Sequence, residues 1–487
     1  MNYTEIIESK NGEKIPLVNK TALHSKYNPE REAESFANQF ASPAFFVVVG
    51  LAGGYHISAL MKKFPESNVI AAENDESDLR FLEKLPEIQK LHSEKRFQAA
   101  TKSDIKRKII ETYKPAIHGD MTIATLRSWE NIFPDEKKEI IKEIQSALKI
   151  VSADYSVQCH FGKIWHKNIF ENLKVASEIK TDIKKTIGEI PNEKIAAIIA
   201  AGPSLNETYK KIEDEREKYF VIATDTAFSV LAERKIKADC VVSVDGQNIS
   251  HSHYMHGIYS DTIFVFDLCA NSSAVRKVRS GSKKIIFTEN GHPLAKYASA
   301  YTGKNSFLEN YTGSGTVTIA AASFAITAGF TKIEFFGADF SYIGGAPYAR
   351  GTYLDTIYGT SESKFENSET KFSALMFRTE LKRVGERKFT TEVLESYENS
   401  AEEFMSECGF SKTNEGKTKF FKSNGKKDSD LDFVPFSYED FRNFYKNRIK
   451  NIPSEDSAEM TTMLPLVASL KSRILAHSKS LEYTDKL

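Results

Sequence analysis

The stretch Ile195–Thr208, IAAIIAAGPSLNET, decides how the middle of the chain is read. It opens on small and branched apolar residues, the composition of a strand buried on both faces. At Gly202-Pro203-Ser204 the run stops, and LNET begins a polar, helix-forming segment. Ser204 followed by Glu207 has the form of a capping box, which would start a helix carrying Leu205, Tyr209 and Ile212 inward. A strand that turns through glycine into a capped helix presents free backbone N–H groups and a positive dipole end. Such a corner suits a phosphate, because Gly202 admits close approach and Pro203 stiffens the turn. Without a ligand it is an ordinary strand-to-helix connection. The flanking sequence has to decide.

Downstream, strand candidates alternate with helix candidates: Ala196–Ala200, Phe220–Thr224, Cys240–Val244, Ile263–Phe266, Lys284–Phe287 and Ile333–Phe336. That rhythm predicts an α/β fold with a parallel sheet covered by helices on both faces. Just past these strands stand Gly202, Asp225, Asp245, Asp267, Glu289 and, after Gly337, Asp339. The carboxyl ends of the strands in an open α/β sheet form the ligand crevice. One acid there is commonly a helix cap, whereas several together need a cation, ribose hydroxyls or a base edge to share the space. A second glycine turn, Gly313-Ser314-Gly315, precedes a helix of small residues and offers further N–H donors. Beyond the strand EFFGADF, Tyr342 and Tyr348 flank a Gly-Gly turn, where their hydroxyls can donate hydrogen bonds to a leaving phosphate.

Towards the N-terminus, FFVVVGLAGGYHISALMKKFPESNVIAAENDES reads as strand, glycine turn, helix and strand, with Glu73 closing the second strand. That is a Rossmann-like arrangement with looser glycine spacing than GxGxxG, and its acid is placed to bind ribose hydroxyls. Residues 134–187 are mostly helical until Gly188 and Pro191, so a boundary is expected between about 165 and 190. After about residue 375 the chain turns charged and amphipathic, and Lys417–Lys427 reads as an exposed loop. The expected division is an N-terminal Rossmann-like domain at 1–165, a central domain at 166–375 and a mostly helical C-terminal domain at 376–487.

Composition narrows the function classes. The chain has 487 residues, with 66 Lys+Arg against 66 Asp+Glu, a balance that argues against binding nucleic-acid phosphates. The cysteines Cys159, Cys240, Cys269 and Cys408 are far apart and form no CxxC pair, so neither a zinc site nor a disulfide framework is expected. No apolar stretch is long enough to span a bilayer, and a cytoplasmic protein with no membrane partner is expected. The histidines of NISHSHYMHG (His251, His253, His256) have spacing too irregular for a framed zinc site.

Taken in order, IIAAGPSL, the acids after the next two strands, TGSG, FFGADF and the pair Tyr342/Tyr348 make the middle region resemble bacterial sialyltransferases. A longer resemblance, which includes FGKIWHKNIFENL at Phe161–Leu173, is to the motility accessory factor (Maf) family of flagellin glycosyltransferases. The resemblance implies a central glycosyltransferase-like Rossmann sheet between a Rossmann-like and a helical domain. It also implies transfer of a nonulosonic acid, of pseudaminic or legionaminic type, from its CMP-activated donor to Ser/Thr of flagellin, with inversion.

Carried onto this chain, Ala201, Gly202, Pro203 and Ser204 form the nucleotide corner, and Asp225 and Asp245 flank the nucleotide. Gly313, Ser314 and Gly315 hold base or sugar, and Tyr342 and Tyr348 hold the leaving phosphate. Three positions depart from the sialyltransferases. Ala201 stands where they have Asn, and Asp225 and Asp245 stand where they have Asn. No histidine follows His292 until His477, whereas they place a histidine base beyond the tyrosine loop. The added charge suggests a divalent cation, Mg or Mn, at Asp225 and Asp245, and no other cofactor. Asp245 and Asp339 are the candidate bases. Three other readings compete: a magnesium-dependent pterin pyrophosphokinase-like enzyme, a non-catalytic flagellin-binding chaperone, and a methyltransferase at Gly50–Gly54 and Glu73.

Overall fold

Branched and aromatic runs form the strands of this protein, and the computed structural model describes residues 2–41, 45–179, 181–313, 315–360, 368–413, 418–423, 433–454 and 456–484. Tertiary contacts divide the chain into two units, Met1–Gly162 with Leu464–Leu487, and Lys163–Met463.

In the first unit, β1 (Tyr3–Glu8), β2 (Lys14–Val18) and β3 (Thr21–Ala22) form a small antiparallel sheet. The strands β4 (Phe45–Val49), β5 (Asn68–Glu73), β6 (Phe97–Thr101) and β7 (Met121–Thr125) form a parallel sheet in the order β6-β5-β4-β7. Every residue of β4 is 0% exposed, as its unbroken apolar run requires. Counted from β4, the order is the doubly wound one, in which the chain reverses direction beside its first strand. Ile57, Leu60 and Met61 of the helix Tyr55–Lys63 pack into this core, as do Ile140, Ile144 and Ala147 of the helix Pro134–Ile179.

The second unit is built on β8 (Ile195–Ile199), β9 (Tyr219–Thr224), β10 (Cys240–Ser243), β11 (Ile263–Asp267), β12 (Ile285–Glu289), β13 (Leu308–Glu309) and β14 (Lys332–Phe336). These seven pair in parallel, in the order β13-β12-β11-β10-β9-β8-β14. The strands expected from the sequence all form, with ends within two residues of expectation. Alternation divides β8 between two cores: Ala197 and Ile199 face one, Ala196 and Ile198 the other. Helix Val317–Thr327 lies against the second face through Ala321, Phe324 and Ala325, its small side chains permitting close approach.

The stretch Phe161–Leu173 acquires a specific role here. Asn168 and Asn172 stand one turn apart on the helix. The Asn168 side-chain amide donates to the carbonyls of Gly246 (3.0 Å) and Cys269 (3.1 Å). The Asn172 amide donates to those of Leu268 (3.0 Å) and Ala270 (2.8 Å). Two side chains thereby satisfy buried carbonyls on the turns that follow β10 and β11.

The region expected to be mostly helical, 376–487, carries the helices Glu392–Glu407, Tyr438–Ile449 and Ala458–Thr484, with short strands that the sequence does not announce. Of these, β16 (Lys382–Gly385) and β17 (Lys388–Thr390) join β15 (Tyr342–Ile343) in a separate sheet in the order β15-β17-β16. The region also contributes β18 (Ser411–Lys412) and β19 (Lys419–Phe421), and β19 pairs antiparallel with β14 to extend the main sheet. These strands have two to four residues and many lysines, so they carry no alternating signal. The contact division follows Gly162, inside the continuous helix Pro134–Ile179, where neither glycine turn nor proline marks it. The stretch Lys417–Lys427, expected as an exposed loop, instead supplies β19 with Phe420 buried against the main sheet, and residues 417 and 424–427 lie outside the described residues. Among the described residues no helix is long and apolar enough to cross a membrane.

Candidate functional site

The order of the main sheet places its reversal between β8 and β14, where a doubly wound sheet opens its ligand crevice. A cleft of about 230 Å³ lies there, lined by Gly202 after β8, Asp225 after β9, and Gly337, Asp339, Tyr342 and Tyr348 after β14.

The corner is closed more tightly by protein than the sequence suggests. The Gly202 N–H donates to the Gly337 carbonyl (2.8 Å), and a Cβ on Gly202 would stand 2.3 Å from that oxygen and 2.5 Å from Asp339 Oδ2. Gly337 has φ +64°, and its own Cβ would meet the Ala200 carbonyl at 2.2 Å. The glycines at 202 and 337 are therefore required for two chain segments to touch. Ser204 does not form a capping box. Its backbone is already helical (φ −63°, ψ −18°), and its side chain makes no capping bond. Instead the Ser204 N–H donates to Asp339 Oδ2 at 2.8 Å, so a carboxylate arriving from β14 sits at the positive end of the helix. Ala201 lines the cleft with Gly202, whereas Pro203 and Ser204 do not.

The acids expected at the crevice divide into two groups. Asp225, 2% exposed, accepts from Ser243 Oγ (2.7 Å) and from the Thr226 N–H (2.8 Å) at the start of the helix Asp225–Glu233. Asp245 lies outside the cleft lining and accepts from the Gln247 N–H at 2.9 Å. Asp267 is 1% exposed, accepts from the Cys269 N–H (2.7 Å), and burial pushes its pKa up to about 7. Glu289 accepts from the Gly291 N–H (2.9 Å), and burial raises its pKa as well. Asp267 and Glu289 thus stabilise turns. Both Asp225 oxygens accept protein donors, and among the described residues no three His, Cys, Asp or Glu side chains gather, so a Mg or Mn ion at Asp225 and Asp245 would draw the rest of its shell from phosphate and water. In NISHSHYMHG, His253 is 4% exposed and its ring packs edge-on against Tyr353 at 4.8 Å.

The glycine turn contributes by its flank. Gly313 and Gly315 do not line the cleft, and Ser314 lies outside the described residues. The wall comes from Thr316, Val317 and Thr318, where the helix Val317–Thr327 begins. Tyr342 and Tyr348 both reach the cleft. Desolvation raises the Tyr342 phenol pKa. As a whole residue Tyr348 keeps 38% exposure, yet its phenol pKa is raised too, first by desolvation and then by nearby Tyr342 and Asp225. Tyr353 is pushed up to about 12, by desolvation first and then by Tyr348, Tyr358, Asp245 and Asp225. These phenols stay protonated at neutral pH and can only be used as donors of a hydrogen bond or as neutral acceptors. Leu394 and Tyr397, from the helix Glu392–Glu407, complete the lining. No local signal in the sequence points to them, because tertiary folding alone brings them to the cleft.

The reversal point of the first unit's sheet holds a plug. Glu73 is 0% exposed and accepts from Tyr3 Oη (2.8 Å), Trp129 Nε1 (2.7 Å) and the Asn74 N–H (3.1 Å). Burial pushes its pKa up to about 7, against the opposing effect of those bonds. A Cβ on Gly50 would be 2.7 Å from the Trp129 ring, and one on Gly53 would be 2.8 Å from His24. The acid expected to bind ribose and the glycines expected to admit a ligand are covered by the unit's own side chains. A larger cleft of about 700 Å³ in this unit is lined by helix surfaces of mixed charge, such as Glu34, Lys63, Glu87 and Lys90, and not by the strand ends.

Residues 167–345 match the family model described as 6-hydroxymethylpterin diphosphokinase MptE-like, so this chain carries an MptE-like domain. An uncharacterized protein of Treponema pallidum (strain Nichols) is 35% identical over 156 residues, 32% of this chain and 72% of that protein. Another from the same organism is 34% identical over 224 residues, 45% of this chain and 72% of that protein. Among solved structures, a Maf glycosyltransferase from Magnetospirillum magneticum AMB-1 aligns over 84% of this chain and 67% of that one, with a TM-score of 0.49 and 11% identity.

Proposed function

We propose that this chain, which belongs to the same family as the two Treponema pallidum proteins, is a cytoplasmic glycosyltransferase. In this proposal it moves a nonulosonic acid of pseudaminic or legionaminic type from its CMP-activated donor to a serine or threonine hydroxyl of flagellin. The observation that carries the proposal is the open cleft at the β8/β14 reversal, where two phenols, a glycine corner and a helix start converge. The motif order shared with sialyltransferases supports the choice of donor.

In the proposed reaction the acceptor oxygen attacks the anomeric carbon from the face opposite the phosphate, so the configuration inverts. The bond from that carbon to the phosphate oxygen breaks, and its electron pair leaves with CMP. Tyr342 and Tyr348 donate hydrogen bonds to the phosphate as its charge grows, a form of stabilisation realised most strongly in the transition state. Of the two candidate bases, Asp339 lines the cleft and Asp245 does not, so Asp339 is assigned the acceptor proton. No step is routed through a cation.

The MptE-like match favours a second reading, transfer of a diphosphate group to a pterin, with ATP in the same cleft. Thermal-shift titration with CMP and with ATP, each with and without magnesium, separates the two, since a ligand bound only by the native state raises the melting temperature. The transferase reading expects a shift with CMP that Gly202→Val abolishes. A shift with ATP and magnesium and none with CMP overturns it in favour of the second.

A further inference from the structure

We infer that Leu394 and Tyr397 form a specificity wall that recognises the sugar of the bound nucleotide, as distinct from its phosphate; this deepens the transferase proposal and rests on it. Both residues line the cleft, yet both lie outside the segment 167–345 that matches the MptE-like model. The matched segment supplies Gly202, Asp225, Thr318 and Asp339, the polar side. The helix Glu392–Glu407 supplies the other side.

That helix is built to hold the wall in place. Thr391 caps it, its Oγ1 accepting from the Leu394 N–H at 3.2 Å, which fixes the first turn. Positions 394, 397, 401 and 405 fall on one helical stripe. Ala401 and Met405 are 9% and 1% exposed and anchor the stripe, whereas Leu394 and Tyr397 are half-buried with the cleft beside them. The Tyr397 ring lies against the glycine turn: a Cβ on Gly315 would stand 3.4 Å from it, at ordinary contact distance. Tyr397 is also near enough to Tyr348 to help raise its pKa, so the two phenols face one space.

An apolar side chain beside a ring face suits a sugar. Leu394 has no donor, and Tyr397 offers a ring face with one hydroxyl. A pyranose packs its C–H face on an aromatic ring and its methyl or acyl substituents on a leucine, with the hydroxyl left for a sugar oxygen. The ligand class is a sugar nucleotide whose sugar carries apolar substituents.

Isothermal titration calorimetry of the full chain with CMP and with CMP-N-acetylneuraminic acid tests this, on wild type, Leu394→Arg, Tyr397→Ala and Tyr397→Phe. Melting temperatures verify that each variant is folded. Wild type is expected to bind the sugar nucleotide more tightly than CMP. Leu394→Arg and Tyr397→Ala are expected to weaken the sugar nucleotide about tenfold or more while changing CMP by less than about threefold, and Tyr397→Phe is expected to retain most of the ring's contribution. Equal losses for both ligands, or no loss in either Leu394→Arg or Tyr397→Ala while wild type binds both, overturn the wall and leave the transferase proposal standing. A wild type that binds neither ligand overturns both.

Discussion

The two parallel sheets of this protein carry the same kind of crevice and treat it in opposite ways. In the first unit the reversal point lies between β4 and β7, and Trp129, Tyr3 and His24 fill it around Glu73 and the glycines. In the second it lies between β8 and β14, where glycines at 202 and 337 bring two corners into contact and a cleft stays open beside them. A glycine corner and an acid after a strand are common to both. What separates a site from a scaffold is whether large side chains from elsewhere in the unit occupy the space above the corner.

The largest effect expected from that contrast is on stability. Trp129→Ala empties the plug, and a fully buried tryptophan lost from a core costs about 3–5 kcal/mol. The first unit is expected to melt well below wild type in calorimetry, while CMP binding to the second, measured below that transition, stays unchanged.

Next come the phenols of the open crevice. Tyr342→Phe and Tyr348→Phe are each expected to lower turnover of the CMP-activated donor about 100-fold, in the range seen for removing one transition-state donor. Melting temperatures should stay near wild type. Loss of fold together with activity would assign the phenols to packing and would remove the contrast with the plug.

Glu73 gives a pH signature. Its folded pKa, about 7, lies above the roughly 4.3 of a free glutamate, so the folded state holds the proton more tightly than the unfolded state. Its contribution is therefore present at low pH and is lost as pH rises from about 4.3 to about 7. Denaturation of the first unit across that window should show stability falling with pH, and Glu73→Gln should flatten the fall. Asp267, also held near 7, imposes the same sign on the second unit, which makes the Gln variant the necessary control.

The smallest effect sharpens the account of the corner. A serine that caps a helix costs about 0.5–2 kcal/mol when it becomes alanine. Because the Ser204 side chain makes no capping bond, Ser204→Ala is expected to leave stability within about 0.5 kcal/mol of wild type, measured by urea denaturation.

Much of this fold is legible in the sequence because its strands are buried on both faces and so appear as unbroken apolar runs, such as FFVVV and IAAII. The short strands β16 to β19 are not, since lysine-rich pieces such as KRVG and SK take their conformation from neighbours. The site is legible only in part. Ala201, Gly202, Asp225, Asp339, Tyr342 and Tyr348 converge on the cleft, as their places after strand ends suggest. Asp245, Pro203 and Ser204 stand beside it, Asp267 and Glu289 hold turns, and Leu394 and Tyr397 arrive from a distant helix. An acid after a strand has the same sequence signature whether it faces a ligand or its own turn; the packing around it decides.

In the proposed function, ligand enters the crevice of the second sheet and not that of the first. Hydrogen–deuterium exchange of the full chain, with and without saturating CMP, measures both crevices in one experiment. Slowed exchange is expected in segments 200–208, 224–228 and 315–320, with segments 50–56 and 73–78 unchanged. Protection centred on 50–56 and 73–78, or none in either region, would contradict the proposal.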